Sequence, residues 1–211
     1  IGTYYISDVP MCIRKVYYQY IKPKDVEVDV LGIFQSGIYA HNFLEIVLRN
    51  ANIPFKEFRG EMPTRLLDSE EFTWRLHGRV DYFFIFEEDG EKVIAEAKSV
   101  KSLEFLRSPM RKHVEQLMLY LALENAKRGY LIYVNRNNYA DVKQFEVRFD
   151  KEVCKKLIKR TKCLHNFLEA HKLPPPESKL NPDDEWECHY ITKEREVKCP
   201  YYEECAKDWN G

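Results

Sequence analysis

Several common patterns are missing from this 211-residue sequence. No run of apolar residues approaches the length of a membrane-spanning helix, so we expect no contact with a membrane. The opening residues IGTYYISDVP do not have the form of a signal peptide, and the expected location is therefore the cytoplasm. No internal repeat is visible, and the absence of helicase motifs disfavours a complete DNA repair machine.

Two further absences exclude particular functions. The segment V-I-A-E-A-K-S, residues 93–99, resembles the lysine-bearing strand of protein kinases. No glycine-rich loop precedes it, however, and no H-R-D or D-F-G motif follows, which excludes a kinase. The six cysteines include no C-x-x-C pair, so their local spacing does not indicate a zinc ribbon.

The composition indicates a folded protein with one basic segment. Hydrophobic residues make up 45% of the chain, whose length suits one domain, alone or with a small appendage. Residues 98–162 hold 16 Lys and Arg against 7 Asp and Glu, whereas 1–97 and 163–211 each have a net charge of −5. A basic segment of this kind is typical of a polyanion-binding face, although basic residues on solvated helices would give the same count.

Hydrophobic periodicity and turn residues predict the order α-α-βββ-α-ββ-α, followed by an irregular tail from residue 173. The predicted helices cover about residues 8–20, 32–50, 108–128 and 151–171, and the predicted strands cover 55–65, 73–87, 91–99, 130–135 and 142–149. Phe43, Ile46 and Val47 would form the apolar stripe of the second helix. The expected fold class is α/β of the α+β type, with a mixed central sheet flanked by helices.

Two acidic residues and a lysine lie in the predicted hairpin of the second and third strands. Glu96 and Lys98 face the same side of their strand, and a favourable register would place Asp81 beside Glu96. Two carboxylates offer the hard oxygen ligands that Mg²⁺ or Mn²⁺ prefers. Lys98 could orient or deprotonate a water, or stabilise charge on a phosphate. Gly78 would leave room for a backbone or a substrate.

The alternative for this hairpin is an ion pair on a solvated strand face. Taken alone, the hairpin leaves both interpretations open. Polar residues on two predicted helices could complete the site. His41 shares a helix face with Glu45 and could bind the same metal. Gln116 and Tyr120 have the same spacing and could reach a phosphate or the lysine, although packing explains each of them equally well alone.

Taken together, these residues resemble the RecB-type branch of the PD-(D/E)XK nucleases over about residues 30–125. The matching order is His41, Val80-Asp81, Glu96-Ala97-Lys98 and Gln116-x-x-x-Tyr120. The resemblance implies a restriction-endonuclease-like core and one or two divalent ions held by His41, Asp81, Glu96 and the Ala97 carbonyl. It also implies that the catalytic residues are Asp81, Glu96, Lys98, Gln116 and Tyr120. Because Glu96 and Lys98 would then act separately at the phosphate, we expect that they do not pair with each other.

The cysteines suggest a second site. Four of them lie near the two ends of the sequence, at Cys12, Cys188, Cys199 and Cys205. Four thiolates can close a tetrahedral zinc site or hold an iron–sulfur cluster, and the spacing does not decide between the two. Cys154 lies on the apolar stripe of its helix and is expected in the core. Cys163 lies off that stripe and is expected to be a free or packed thiol.

The cysteine pattern sharpens the resemblance. A RecB-like core is bracketed by S-D-V-P-M-C-I-R-K-V-Y-Y-Q-Y, residues 7–20, and K-C-P-Y-Y-E-E-C, residues 198–205. This arrangement resembles the CRISPR-associated nucleases of the Cas-four (Cas4) family. It implies an iron–sulfur cluster, 4Fe-4S or 2Fe-2S, that fastens the tail to the first helix. The implied organisation is a nuclease core at 31–172, with 1–30 and 173–211 as cluster-binding regions.

The resemblance implies a metal-dependent exonuclease that degrades single-stranded DNA ends, chiefly 5′ to 3′. It would trim new spacers with the CRISPR integrase complex, in antiviral defence. The basic residues expected to follow the DNA backbone are Lys101, Arg107, Arg111 and Lys112. A RecB-type DNA repair nuclease and a non-catalytic, zinc-stapled nucleic-acid-binding module are the alternatives, and a homo-oligomer is left open.

Overall fold

A computed structural model of the chain describes residues 2–26, 28–63, 74–86, 88–180, 187–191 and 196–207. The strands are β1 Thr3–Tyr5, β2 Phe55–Pro63, β3 Arg75–His77, β4 Arg79–Phe86, β5 Lys92–Val100, β6 Arg128–Asn135, β7 Asn138–Arg148, β8 His189–Ile191 and β9 Glu196–Lys198. The helices are α1 Ile13–Ile21, α2 Val28–Asn50, α3 Arg111–Glu124, α4 Lys151–Glu169, α5 Glu177–Leu180 and α6 Tyr202–Lys207.

Five strands form a mixed central sheet in the order β2-β4-β5-β6-β7. β5 and β6 pair in parallel, and the other neighbours pair antiparallel. Because parallel neighbours cannot be joined by a tight turn, α3 makes the connection between β5 and β6. The predicted fold class, a mixed sheet flanked by helices, is confirmed.

The core has two layers, one on each face of this sheet. Side chains of α1, α3 and α4 pack with Ile94 and Leu131 in the larger layer. Leu117 and Leu121 of α3 are buried there, as the periodicity predicts. On the other face, Leu44 of α2 packs in the smaller layer. The alternation of side chains along β5 therefore divides its residues between the two layers.

The apolar face of α2 was predicted wrongly. The structure buries Ala40 and Leu44, whereas Ile46 and Val47 are exposed and Phe43 is half-buried. Apolar residues occur on all sides of α2, so a period of 3.6 residues does not select one of them. The buried side is the one on which Ala40 and Leu44 pack in the smaller core layer with Ala95 and Ala97 of β5.

Several element ends also differ from the predictions. α1 begins at Ile13 because the preceding residues form turns, including a hydrogen bond from the Met11 N–H to the Asp8 carbonyl. α3 ends at Glu124 because Asn125 takes a left-handed conformation. The side chain of Asp150 accepts two N–H groups at the start of α4, as expected of an N-cap. The predicted strand residues 64–65, 73 and 87 lie outside the described part.

Two small sheets were not predicted. β1 pairs in parallel with β3, and β8 pairs antiparallel with β9 in the tail, which was expected to be irregular. The tail contacts α1: Arg14 Nε donates to the Pro174 carbonyl at 2.6 Å, and the Ile13 N–H donates to Glu177 at 2.9 Å. Within the described residues, no helix combines the length and apolar character needed to cross a membrane.

Candidate active site and cysteine site

The β4–β5 hairpin brings the two acidic residues together. Tyr82 pairs with Ala95 in the antiparallel register, which places the preceding Asp81 beside the residues that follow Ala95. The Ala97 N–H donates to Asp81 Oδ2 at 2.8 Å. The backbone of one strand therefore fixes the carboxylate of the other strand.

Glu96 and Lys98 form an ion pair, so the expectation that they do not pair is wrong. Lys98 Nζ lies 2.7 Å from Glu96 Oε1. The Glu96 side chain is only 3% exposed, and a buried carboxylate is strongly destabilising without a cation or donors nearby. Burial lowers the pKa of Lys98, but Glu96 and Asp81 outweigh this effect and raise the pKa above its usual value. The lysine is therefore a charged donor.

Gln116 of α3 joins the same pair of residues. Its Nε2 donates to Glu96 Oε1 at 2.8 Å, and its Oε1 accepts from Lys98 Nζ at 3.0 Å. The hydroxyl of Tyr120 lies 3.5 Å from Gln116 Nε2. Burial and the Glu96 carboxylate raise the pKa of Tyr120, which keeps the phenol neutral. Gln116 and Tyr120 of α3 therefore place an amide and a hydroxyl over Glu96 and Lys98.

One oxygen of Glu96 is left without a protein partner. Within the described residues, Glu96 Oε2 is buried and accepts no hydrogen bond. Burial and the Asp81 carboxylate raise the pKa of Glu96 to about 7, against the opposing effect of Lys98. Two adjacent carboxylates with an unsatisfied oxygen are suited to a hard divalent cation.

His41 lies at the edge of this group. Its Nδ1 is 3.6 Å from Asp81 Oδ1, and the hydroxyl of Tyr82 donates to its carbonyl at 2.8 Å. The described residues contain no group of three or more His, Cys, Asp or Glu side chains already arranged to hold an ion. The carboxylates instead engage Lys98, Gln116 and backbone donors. The structure thus places the predicted side chains next to one another but does not arrange them around an ion. The metal ligands, including the Ala97 carbonyl, stay predictions.

The role expected for Gly78 is wrong. An added Cβ at this position would lie 2.9 Å from Tyr120 Cε1 and 3.0 Å from Ile6 Cδ1. The space next to the glycine is therefore filled by two side chains of the protein, and the absence of a Cβ allows Tyr120 to approach β4.

The four terminal cysteines line one cavity, next to residues of α1, α6 and the tail. Burial, together with the thiols of Cys12, Cys199 and Cys205, raises the pKa of Cys188 to about 12. Four thiolates are a donor set that suits zinc or an iron–sulfur cluster. These thiols, like the other described His, Cys, Asp and Glu side chains, are not already arranged around an ion, so the bound group stays a prediction. Cys154 packs against the core and Cys163 is exposed, as expected.

Two charged residues near the cysteines were missed by the sequence analysis. Arg14 is buried, and its guanidinium lies 3.7 Å from Cys205 Sγ. Glu187 accepts the backbone N–H of Cys12 at 3.1 Å and pairs with Lys112 at 2.5 Å. The sequence could have indicated both residues by their position, because Glu187 directly precedes Cys188 and Arg14 lies two residues after Cys12. Among the predicted DNA contacts, Lys112 is therefore engaged by the tail.

A mixed sheet with Asp81 on one strand, Glu96-x-Lys98 on the next and a glutamine-bearing helix above them is the arrangement through which the chain resembles the PD-(D/E)XK nucleases. No protein-family model matches the chain. The CRISPR-associated exonuclease Cas4 of Saccharolobus solfataricus is 25% identical over 203 residues, which cover 90% of this chain and 84% of that protein.

Solved structures support the same relationship. The crystal structure of SSO0001 matches with a TM-score of 0.56 and 25% identity, over 79% of this chain and 77% of that one. The alkaline exonuclease LHK-Exo of Laribacter hongkongensis shares the fold, with a TM-score of 0.54 and 12% identity over 81% of this chain and 89% of that one. The resemblance to the Cas4 nucleases is therefore confirmed over most of the chain, and the protein is an enzyme of the nuclease class.

Proposed function

We propose that this protein is a metal-dependent exodeoxyribonuclease acting on single-stranded DNA ends, in the 5′-to-3′ direction. The observation that carries the proposal is the buried Glu96 carboxylate. It lies next to Asp81, has one unsatisfied oxygen and is covered by a charged lysine. Such a group is costly for stability, and it is suited to binding a cation and a phosphate.

Asp81 and Glu96 would hold Mg²⁺ or Mn²⁺, with His41 at the edge of the site. A bound ion would supply charge stabilisation at the scissile phosphate and lower the pKa of the attacking water. Lys98 donates to Glu96 and Gln116, so it would stabilise negative charge on the phosphate as a charged donor. Gln116 holds Lys98 and Glu96 at a fixed separation.

The substrate and the biological role are proposed from the Cas4 relative and the basic segment. Lys101, Arg107 and Arg111 would contact the phosphates of a DNA strand entering the site. The relative is named a CRISPR-associated exonuclease, which supports a role in a CRISPR system. Within such a system we propose adaptation, in which the enzyme would trim spacer precursors with the integrase complex in the cytoplasm.

The cysteine cavity would hold an iron–sulfur cluster, with 4Fe-4S favoured over 2Fe-2S. Its support is the clustering of four thiols from opposite ends of the chain around one cavity. A zinc ion is the alternative. Iron, zinc and acid-labile sulfide analysis of the purified protein, with a visible absorption spectrum, separates the two.

The nuclease assay uses single-stranded DNA labelled at the 5′ or the 3′ end, with Mg²⁺ or Mn²⁺. Lys98→Met and Asp81→Asn are each expected to lower the degradation rate by about 100-fold. Lys92→Met, at an exposed position of the same strand, is the matched control and should keep full activity. Full activity in both site variants would contradict the catalytic assignment.

Two alternatives are separated by further measurements. A RecB-type repair nuclease would show the same chemistry but would not co-purify with the CRISPR integrase. A nucleic-acid-binding module would bind DNA without degrading it at any concentration of divalent cation.

A further inference from the structure

Glu187 connects the cysteine cavity to the helix that covers the active site. Its side chain is only 6% exposed, and it lies next to Cys188 in the chain. Its Oε2 accepts the backbone N–H of Cys12, and its Oε1 lies 2.5 Å from Lys112 Nζ in the first turn of α3. One carboxylate therefore contacts the backbone of a cavity residue and the catalytic helix at the same time.

The sequence of α3 explains why this contact matters. The helix begins with Arg111 and Lys112 and has no acidic residue in its first turn. A helix N-terminus carries a partial positive charge, so basic side chains there are unfavourable and a carboxylate is favourable. Met110 at the N-cap offers no side-chain cap. Glu187 thus neutralises from the tail one of the two basic side chains in the first turn of α3.

The position of Lys112 extends the contact to the active site. Lys112 and Gln116 are four residues apart and lie on one side of the helix. Gln116 in turn binds both Glu96 and Lys98. A shift of the first turn of α3 therefore moves the Gln116 amide relative to the residues that it holds.

We propose that the Glu187–Lys112 ion pair is a positioning contact, through which the occupied cysteine cavity holds α3 and Gln116 in place for catalysis. The inference rests on the proposed function of both sites. Ligation of Cys188 fixes the adjacent Glu187, and Lys112 then keeps its partner. In a protein stripped of the bound metal, the tail loosens and the first turn of α3 loses its carboxylate.

The competing explanation for Lys112 is the DNA contact that the charge pattern predicts. A phosphate contact would affect substrate affinity and its dependence on salt. A positioning contact would affect the turnover rate and leave affinity almost unchanged. The two roles therefore differ in a measurable way.

The kinetic test uses Lys112→Met, Glu187→Gln and the double variant on single-stranded DNA. Each single variant is expected to lower kcat by about tenfold, with KM within about twofold of wild type. The double variant should be no slower than the slower single variant, because both changes remove the same contact. Glu203→Gln is the matched control, since that tail glutamate is 75% exposed, and it should retain wild-type kcat.

A second readout is independent of activity. Amide hydrogen exchange of residues 111–116 should be faster in both single variants than in wild type. It should also be faster in wild-type protein from which the metal held by the cysteines has been removed. Because Lys112 lies outside the cysteine cavity, Lys112→Met should keep wild-type metal content and tests the contact even where Glu187→Gln loses metal.

Three results would overturn the positioning role of the ion pair. These are rate losses that multiply in the double variant, unchanged exchange in Lys112→Met, or a rise in KM with kcat intact. An inactive wild-type enzyme would refute the nuclease proposal, and the exchange comparison would still decide whether the contact holds α3. If purified wild-type protein holds no metal at the four cysteines, the link between the ion pair and an occupied cavity is wrong.

Discussion

Replacing Glu96 by glutamine removes a buried charge and keeps an oxygen that can accept from Lys98. Burial and the Asp81 carboxylate raise the Glu96 pKa to about 7, from a reference value of 4.5. Between these two values the folded protein binds the proton more tightly than the unfolded chain. The contribution of Glu96 to stability is therefore fully present below pH 4.5 and is lost as the pH rises through 7.

The magnitude follows from the size of the shift. Each pKa unit corresponds to about 1.4 kcal/mol, so the expected loss of unfolding free energy is about 3 kcal/mol. The pH dependence of wild-type stability does not isolate this contribution of Glu96, because a histidine also titrates. Burial and the nearby Lys98 and Lys112 charges lower the pKa of His113 to about 3. A histidine with a low pKa makes stability rise between about pH 3 and 6.5, which opposes the effect of Glu96.

The assay is therefore a difference measurement. Urea unfolding of wild type and Glu96→Gln is followed between pH 4.5 and 8 without added divalent cation. The unfolding free energy of wild type minus that of the variant should fall by about 3 kcal/mol across this range. Glu104→Gln, at an exposed position, should differ from wild type by a constant amount. A constant difference for Glu96→Gln as well would refute the reasoning.

Adding Mg²⁺ or Mn²⁺ tests the link between this charge and metal binding. At about 100 times its dissociation constant, the ion should stabilise the wild-type protein at pH 8 by about 2.7 kcal/mol. Glu96→Gln should gain less, because one charged ligand is missing. Equal stabilisation of both proteins would contradict the role of Glu96 as a ligand.

Three more predictions concern the surroundings of the two sites. Gly78→Ala should push the Tyr120 ring away from β4 and lower kcat by about tenfold. The affinity for Mg²⁺ or Mn²⁺, measured by isothermal titration calorimetry, should not change. Tyr133→Phe removes a hydroxyl that contacts the α3 N-cap and the half-buried His113, and it should lower the free energy of unfolding in urea by about 1–3 kcal/mol. Cys188→Ser should lose the bound metal, measured by elemental analysis, whereas Cys163→Ser, at an exposed position, should retain it.

The arrangement of the strand residues was predictable because strand geometry is rigid. Successive side chains alternate strictly between the two faces, so the spacing of Glu96 and Lys98 placed them together. The turn Glu88-Asp89-Gly90 joined this strand to the one that carries Asp81. The N-cap at Asp150 was predictable for a similar reason, since it depends only on neighbouring residues.

The missed features depend on residues that are far apart in sequence. The contact between Glu187 and Lys112, and that between Arg14 and Cys205, join distant segments and leave no local pattern. The pairing of Glu96 with Lys98 was misjudged because it depends on burial, which sequence spacing does not give. The buried face of α2 was missed because that helix is apolar on several sides.

The contacts between α1 and the tail have a consequence for synthesis on the ribosome. The first helix emerges early, but its contacts at Ile13, Arg14 and Cys12 are made to residues 174–205. Domains fold as the chain appears, from the N-terminus, yet these polar contacts of the helix must wait until the tail has been made. The apolar face of α1 packs in the core with α3 and α4, which are made before the tail. Synthesis of the tail is therefore the step that fastens a helix whose apolar face is already covered.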